Sequence, residues 1–290
     1  MVVSGSRRSR DPRGPVVDVA QRDTGLRELM DDPACDLGQL RRTYAVFPLV
    51  NGLVAGWRRA YQERIRPLLS ADRATTLLDL GSGGGDVASS LARWARRDGL
   101  RLAVTAVDPD RRAHDFASAR PADGVVHRCA SSGDLVDAGE QFDVVVSNHV
   151  LHHLDDASRA DVLSDSRALA RRLVLHSDIR RSRAAYAGYW AGTLPLARTS
   201  FVRVDGLRSI RRSWTHAELA RELPAGWTAL RRPPFRVWAV LDLDLADAAT
   251  AGRVETEGET ETETEIEIET EIETEGAGAG AGDVEPGPRS

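Results

Sequence analysis

The sequence predicts an α/β protein built around a largely parallel sheet. From residue 75 onward, short runs of β-branched and apolar residues alternate with segments of helical spacing, which is the pattern of βαβ units. The first run, residues 75–80, leads into a turn that contains Gly81, Gly83, Gly84 and Gly85. Helical spacing resumes directly behind this turn. A strand, a glycine turn and a helix in this order allow the backbone to approach a ligand closely, because glycine has no Cβ and adopts positive φ readily.

The rest of the central region follows the same alternation. Thr215 and Glu218 have the spacing of a helix capping box, and Asp110 and either Asp155 or Asp156 are expected to cap helices. Residues 203–214 are rich in arginine and are predicted to form a connection. Strands are predicted at 102–107, 125–129, 142–147, 172–177, 227–231 and 235–243, and helices at 85–98, 111–119, 157–171 and 216–223, with an inserted helix within 179–200.

The two ends of the chain differ from this central region. Residues 1–35 are polar with Pro and Gly, which predicts a disordered segment. In residues 36–70 the apolar residues recur at helical spacing, which predicts two helices broken near Pro48. These helices either cover one edge of the sheet or form a lid over a substrate. Residues 247–290 alternate Glu with Thr or Ile and then repeat Gly-Ala; pairing such a segment as a strand would stack like charges, so disorder is predicted.

Composition argues against several classes of function. The chain contains no lysine, which removes the nucleoside-triphosphate loop and Schiff-base chemistry. No apolar run is long enough to span a bilayer and no secretion signal is visible, so a cytoplasmic protein without a membrane span is expected. Cys35 and Cys129 are not expected to form a disulfide, and Cys129 is expected in the core. No cysteine pair or His-Glu-x-x-His spacing predicts a metal site, and no basic stripe with interleaved aromatics predicts a nucleic-acid partner.

The residues that flank the glycine turn indicate the charge of its ligand. Asp79 precedes the turn and Asp86 follows it. Asp86 occupies the position at which the dinucleotide-binding fingerprint requires a third glycine, so that fingerprint is not met. Two carboxylates are a poor cradle for a pyrophosphate, but they suit a ligand that carries a cation, such as the ammonium group of an amino acid.

With these residues the sequence resembles the class I S-adenosylmethionine-dependent methyltransferases. Their first motif, acidic-x-Gly-x-Gly-x-Gly, is matched by Asp79, Gly81, Gly83 and Gly85. A later motif, typical of the bacterial ubiquinone/menaquinone-methyltransferase-like branch, is matched by Phe-Asp-Val-Val at 142–145 and Leu-His-His-Leu at 151–154. The resemblance covers about residues 37–245. It implies a Rossmann-like seven-stranded mixed sheet with strand order 3-2-1-4-5-7-6, an antiparallel last strand, helices on both faces and an added helical lid.

The resemblance also implies a function. The expected cofactor is S-adenosylmethionine, and the expected partner is a small, largely apolar acceptor of the phenolic, quinone or polyketide type, with O-methylation favoured. The methyltransferase domain would span residues 71–246, including a cap segment at 179–214, with the lid at 36–70. A non-catalytic module that binds S-adenosylmethionine, or an RNA or protein methyltransferase, is the alternative, although no Asn-Pro-Pro-Tyr motif follows the fourth strand. The oligomeric state is not predicted.

The expected cofactor site lies at the carboxyl ends of the first four strands. Asp108, after the second strand, is expected to accept hydrogen bonds from both ribose hydroxyls, with a role in a surface turn as the alternative. Ser131 or a backbone carbonyl is expected to accept a hydrogen bond from the adenine amino group. The full set of predicted cofactor-binding residues is Asp79, Gly81, Ser82, Gly83, Gly85, Asp86, Asp108, Pro109, Ser131 and Asn148.

Two histidines just after the fourth strand are the predicted catalytic residues. His149 and His152 could serve as a general base where the acceptor must lose a proton, and His176 and Asp178 are further candidates. Packing at a helix start or a backbone hydrogen bond is the alternative role for each histidine. Because neighbours on a helix point about 100° apart, His152 and His153 are not both expected to face the substrate chamber.

Overall fold

The structure, a computed structural model, describes residues 18–196 and 199–244, without the side chains of residues 53 and 54. The predicted tail at 247–290 and the first 17 residues of the predicted N-terminal segment lie outside the described residues. In the part of the chain that the structure describes, no helix is both long and apolar enough to cross a membrane.

A seven-stranded sheet with the order β3-β2-β1-β4-β5-β7-β6 organises the fold. Strands β1 to β5 pair in parallel, whereas β7 is antiparallel to both β5 and β6. The predicted sheet order and the antiparallel last strand are therefore confirmed. The strands are β1 Thr75–Leu80, β2 Leu102–Val107, β3 Val125–Arg128, β4 Phe142–Asn148, β5 Ala170–Ile179, β6 Thr228–Arg232 and β7 Arg236–Asp242.

Helices cover both faces of this sheet, which is why its central strands are apolar along almost their whole length. In β4, residues 142–147 are all buried. Helix α3 packs Val87 and Leu91 against Leu77 of β1 and Val104 of β2. The helices are α1 Leu37–Val54, α2 Trp57–Ala60, α3 Asp86–Arg97, α4 Arg111–Ser118, α5 Ser132–Asp137, α6 Asp156–Leu169, α7 Arg183–Gly192, α8 Val202–Arg212 and α9 His216–Glu222.

The N-terminal segment is more ordered than predicted. Residues 18–35 pack on the domain, so the prediction of disorder is wrong for this part of the 1–35 segment. The backbone N–H groups of Leu29 and Met30 donate to the two carboxylate oxygens of Asp205 at 2.7 and 3.0 Å. Glu28 is only 4% exposed. The composition of a segment cannot reveal this ordering, because the partners that satisfy its backbone lie about 175 residues away in the chain.

Two predicted element boundaries are also wrong. Helix α1 continues through Pro48, and the break comes at Gly56, whose φ is 73°. The expected connection at 203–214 is largely the helix α8. Its buried residues Val202, Asp205 and Ser209 recur at intervals of three and four, a periodicity that the many arginines obscure in the sequence.

Two smaller expectations also differ from the structure. Cys129 is exposed just past the end of β3, whereas it was expected in the core. Asp178 lies within β5, which continues to Ile179, whereas it was expected at the end of that strand. The two cysteines are both free, as expected.

Candidate active site

A cavity of about 400 Å3 lies beyond the carboxyl ends of β1, β2 and β4. This is where parallel α/β sheets bind ligands, because strand order reverses between β1 and β4. Helices α1, α7 and α8 and the N-terminal segment contribute further walls. The cavity is lined by most of the predicted site residues, namely Asp79, Gly81, Ser82, Gly83, Asp86, Asp108, Pro109, Ser131, Asn148 and His149.

The glycine turn can be made only by residues that tolerate positive φ at three positions. Gly81, Gly83 and Gly85 have φ of 62°, 54° and 77°. A Cβ on Gly81 would lie 2.6 Å from Cγ2 of Val150, and one on Gly85 would lie 2.7 Å from Cε1 of His127. Gly85 does not line the cavity, and the position of its missing Cβ faces the ring of His127.

Asp108 lies directly against the glycine turn. Its Oδ2 accepts a hydrogen bond from the backbone N–H of Gly83 at 2.8 Å, and its Oδ1 accepts one from Asp110 N at 2.9 Å. Burial raises the pKa of this carboxyl. Each oxygen retains a second lone pair, so the group can still accept hydrogen bonds from a diol in the cavity. The two parts of the predicted nucleoside site are therefore adjacent.

A buried carboxylate at the other side of the turn fits a cationic group. Asp79 is only 1% exposed, and among the described residues its Oδ2 has no hydrogen-bond partner. Burial first, and the neighbouring Asp86 second, raise the pKa of Asp79 well above its usual value. A positively charged ligand atom would relieve both effects, because burying a carboxylate without a partner is costly. The site therefore fits the ammonium and sulfonium charges of S-adenosylmethionine.

Asn51 of α1 contacts Asp86, the carboxylate that follows the glycine turn. Asn51 Nδ2 donates to Asp86 Oδ2 at 2.9 Å and lines the cavity. Sequence reasoning missed Asn51, since a single polar residue on an amphipathic helix carries no signal of its own.

The hydroxyl of Ser131 is largely committed to capping α5. It donates to Asp134 Oδ2 at 2.7 Å and accepts from Asp134 N at 3.2 Å. One lone pair stays available for a ligand. The contact between Ser131 and adenine therefore stays a prediction, with the backbone of the same cavity wall as its alternative.

His149 lies in the cavity wall but does not have the free nitrogen that a base requires. Its φ of 60° makes it the one non-glycine residue with a positive φ in the described chain. Its Nε2 accepts a hydrogen bond from Arg236 Nη1 at 2.5 Å, and Arg236 Nη2 also donates to Asn148 Oδ1 at 2.6 Å. Burial and then the Arg236 charge hold the pKa of His149 well below its usual value. Arg236 comes from β7, so sequence reasoning missed it.

His152 is not a base that faces the chamber, and this prediction is wrong. The side chain does not line the cavity, and it is enclosed by two carboxylates. Its Nδ1 lies 2.7 Å from Asp178 Oδ1, and its Nε2 lies 3.2 Å from Glu28 Oε1. Burial lowers the pKa of His152, but Asp178 and Glu28 outweigh burial and raise it to about 9. The physical reason that His152 does not act as this base is that Asp178 and the buried Glu28 occupy its two ring nitrogens, and the sequence does not show that Glu28 lies beside it.

The two further base candidates are also away from the cavity. His176 is 1% exposed, forms a hydrogen bond to Ser147 Oγ at 2.6 Å, and stacks on Trp227. Burial lowers its pKa to about 3. The carboxylate of Asp178 is used by His152 and by the backbone N–H of Ile179.

His153 also lines the chamber. Its Nδ1 lies 3.0 Å from Asp31 Oδ2 and its Nε2 lies 3.7 Å from Glu28 Oε2. Asp31 and Glu28 also line the cavity. The rule that only one of two adjacent histidines faces the chamber holds, but the turn at Leu151–His153 presents the second of the pair. No sequence signal indicated Glu28 or Asp31, because both lie in the segment predicted to be disordered.

The sheet order, the glycine turn and the Asp108 contact define the class I methyltransferase fold, whose cofactor is S-adenosylmethionine. A family model described as a methyltransferase domain matches residues 54–221, which is more than half of the chain. The chain belongs to this methyltransferase family.

Curated relatives match a shorter region. The ubiquinone biosynthesis O-methyltransferases of Rhizobium leguminosarum bv. trifolii and Mesorhizobium japonicum are 35% and 34% identical to the chain over 83 residues. These residues are 28% of this chain and 31% of each relative, so the match spans less than a third of the relatives' length.

Solved structures share the fold. The plantazolicin methyltransferase BpumL in complex with SAH has a TM-score of 0.54 at 11% identity, covering 73% of this chain and 91% of that one. Human N-acetylserotonin methyltransferase in complex with SAM has a TM-score of 0.50 at 11% identity, covering 71% and 56%. At these identities the likeness supports the fold alone.

Proposed function

We propose that this methyltransferase methylates an oxygen atom of a small, largely apolar acceptor of the phenolic, quinone or polyketide type. The observation that carries the proposal is one cavity that extends from Asp108 and the glycine turn to a second region beside His153. The names of the curated relatives, which are O-methyltransferases acting in ubiquinone biosynthesis, support the same reaction over the 83 residues that match.

One end of the cavity would hold the methyl donor. Asp108 would accept hydrogen bonds from the ribose hydroxyls, and Asp79 with Asp86 would face the cationic aminoacyl end. When bound, S-adenosylmethionine supplies a methyl group that is already activated by its sulfonium. The chain's main task is then to orient the donor and the acceptor, which can supply a large part of the rate acceleration.

The other end of the cavity would hold the acceptor. Its apolar side chains come from six separate elements of the chain, which supports a small apolar molecule that the fold encloses rather than a polymer. Among the described residues that line the cavity none is an arginine, so the wall offers no guanidinium to a phosphate or carboxylate acceptor. The apolar residues of this wall are Met30, Phe47, Leu154, Ile179, Tyr189 and Val202.

A phenolic acceptor must lose its proton, and the chain offers one group of residues for this. Glu28, Asp31 and His153 line the cavity, and His153 contacts both carboxylates. His149 cannot take this role, because Arg236 already donates to its Nε2. The combination of an apolar wall and this polar cluster supports a hydroxyl oxygen as the atom that is methylated.

A product assay tests the proposal. The purified chain would be incubated with S-adenosylmethionine carrying an isotopically labelled methyl group and with a panel of phenols, hydroquinones and aromatic amines. Bulk RNA and a protein extract would serve as the comparison for the alternative classes. We expect label in a phenol or hydroquinone, located on oxygen by mass spectrometry. Label only in amines, RNA or protein would refute the proposal, and tight binding of S-adenosylhomocysteine without turnover of any acceptor would favour a binding module.

A further inference from the structure

We propose that Glu28, His152 and His153 form a binding site for a divalent metal ion in the wall of the acceptor end. The proposal goes beyond the sequence analysis, which predicts no metal site. Glu28 precedes His152 by 124 residues, and two adjacent histidines do not match a recognised ligand spacing. The tertiary structure alone brings the three residues together.

The ligand atoms of the three residues lie close together. Glu28 Oε1 lies 3.2 Å from Nε2 of His152, and Glu28 Oε2 lies 3.7 Å from Nε2 of His153. Each residue offers a ligand atom, and these atoms all lie within 4.8 Å of one another. With zinc–ligand bonds of about 2.0–2.2 Å, neighbouring ligand atoms are separated by roughly 3.0–3.5 Å. The cluster therefore needs only small side-chain adjustments to surround an ion.

The opposite ring nitrogen of each histidine has a carboxylate partner. His152 Nδ1 lies 2.7 Å from Asp178 Oδ1, and His153 Nδ1 lies 3.0 Å from Asp31 Oδ2. In both contacts the Nδ1–H donates to a carboxylate, which leaves Nε2 to face Glu28. Metal-ligating histidines almost always have such a carboxylate or carbonyl on the nitrogen that does not bind the metal. Two neighbouring histidines that share this arrangement and converge on one glutamate are what a metal site requires.

The backbone around the histidines is also held in place. Nε of Arg212 donates to the carbonyl oxygen of His152 at 3.0 Å, and its Nη2 donates to that of His153 at 2.9 Å. Arg212 is 8% exposed and belongs to α8. A ligand pair whose backbone is fixed in this way loses little conformational entropy when it binds an ion.

The chemistry of the donors indicates the kind of ion. Two imidazole nitrogens and one carboxylate suit Zn2+, Fe2+, Co2+ or Mn2+ better than Mg2+ or Ca2+, which prefer oxygen. Three protein ligands leave at least one coordination position open. Because Glu28 and His153 line the cavity, that position would face the acceptor end.

An ion here would assist the proposed reaction. A hydroxyl oxygen bound to a divalent ion loses its proton more easily, which would remove the need for a free histidine base. This role rests on the proposed function, whereas metal binding itself does not. Without an ion, a protonated His152 between Asp178 and Glu28 would account for the same cluster, and the experiment must separate the two.

Cobalt binding to the purified full chain tests the site. The chain, free of any histidine tag, would be stripped with a chelator and titrated with Co2+ alone, in the absence of donor and acceptor. We expect about one ion per chain by elemental analysis and visible d–d absorption. His153→Gln and Glu28→Gln should each weaken binding more than about tenfold, since even outer-shell changes cost 10- to 100-fold. His114→Gln is the matched control, because His114 also pairs with an aspartate, Asp115, but lies outside the cluster.

The outcomes separate this inference from the proposed function. A folded chain that binds S-adenosylmethionine but takes up no stoichiometric Co2+ would overturn the metal site. Equal Co2+ affinity in His153→Gln and His114→Gln would overturn it as well. Circular dichroism and donor affinity of each variant establish that it is folded. Turnover of phenols is measured separately, so a failure of O-methylation would not be mistaken for a failure to bind metal.

Discussion

Replacing Asp108 with alanine should weaken the binding of S-adenosylmethionine by about 1.5–3 kcal/mol, the usual contribution of hydrogen bonds to a charged group. The carboxylate is adjacent to the turn, since its Oδ2 accepts from Gly83 N at 2.8 Å. The substitution therefore removes the expected acceptor of the ribose hydroxyls and one support of the turn together. At about 1.4 kcal/mol per factor of ten, the dissociation constant should rise about 10- to 150-fold.

The substitution should also cost some stability. The backbone N–H groups of Gly83 and Asp110 lose their acceptor, which costs about 1 kcal/mol for each group when water cannot fully replace it. Urea unfolding would measure this loss, and it should be smaller than the loss of donor affinity because both groups adjoin a cavity that water can enter.

Isothermal titration calorimetry with S-adenosylmethionine and with S-adenosylhomocysteine is the assay for donor affinity. Asp115→Ala is the matched control, because Asp115 is an exposed aspartate of α4 that does not line the cavity. We expect its affinity to equal that of the wild type. Unchanged affinity of Asp108→Ala, in a variant that unfolds cooperatively, would refute the assignment of the nucleoside site to this edge of the sheet.

Three further changes test the surroundings of the site. Gly85 and Gly139 both have positive φ, and replacing Gly139 with alanine should lower the free energy of unfolding by roughly 1–2 kcal/mol. Gly85→Ala should lower it by more, because only at Gly85 would the added Cβ meet a ring, that of His127 at 2.7 Å. Arg236→Met should destabilise the chain by about 3–5 kcal/mol in urea unfolding, because it leaves several buried acceptors unpaired. Burial lowers the pKa of His176 to about 3, so below about pH 6.5 the unfolded state binds more protons than the folded state. The free energy of unfolding should therefore fall by up to about 1.4 kcal/mol for each pH unit below 6.5. His176→Gln should lack this contribution to the pH dependence of stability.

Each of these changes has a result that would count against its reasoning. Equal stabilities of the two glycine variants would mean that the His127 ring moves aside at little cost. An Arg236→Met variant as stable as the wild type would show that water replaces the guanidinium. If wild type and His176→Gln lose stability in parallel between pH 6.5 and 4, His176 is not the buried neutral group described here.

The fold predicted from the sequence is confirmed, and the structure brings most of the predicted donor-binding residues to one cavity. Alternation predicts the strands and helices, the family resemblance implies the strand order, and Asp108 contacts the glycine turn at Gly83 N. These features depend on residues close together in the chain or on strand ends that parallel pairing must place side by side. Local pattern is therefore sufficient to find them.

Local sequence pattern does not predict the residues at the proposed acceptor end of the cavity. Glu28 and Asp31 lie in a polar segment whose backbone donates to Asp205 of α8, and Arg236 of the last strand contacts His149. His152 and His153 are equivalent in the sequence, and their roles are decided by which of them the turn after β4 presents to the cavity.

The amino-acid sequence by itself determined the strands of the sheet, the glycine turn and the carboxylates beside that turn, because periodicity and glycine placement act over a few residues. Only the tertiary structure decided which histidine faces the acceptor, what neutralises the buried carboxylates and which distant segment closes the chamber. The physical reason is that burial and charge pairing depend on neighbours in space, and in this chain those neighbours are separated by more than one hundred residues along the sequence.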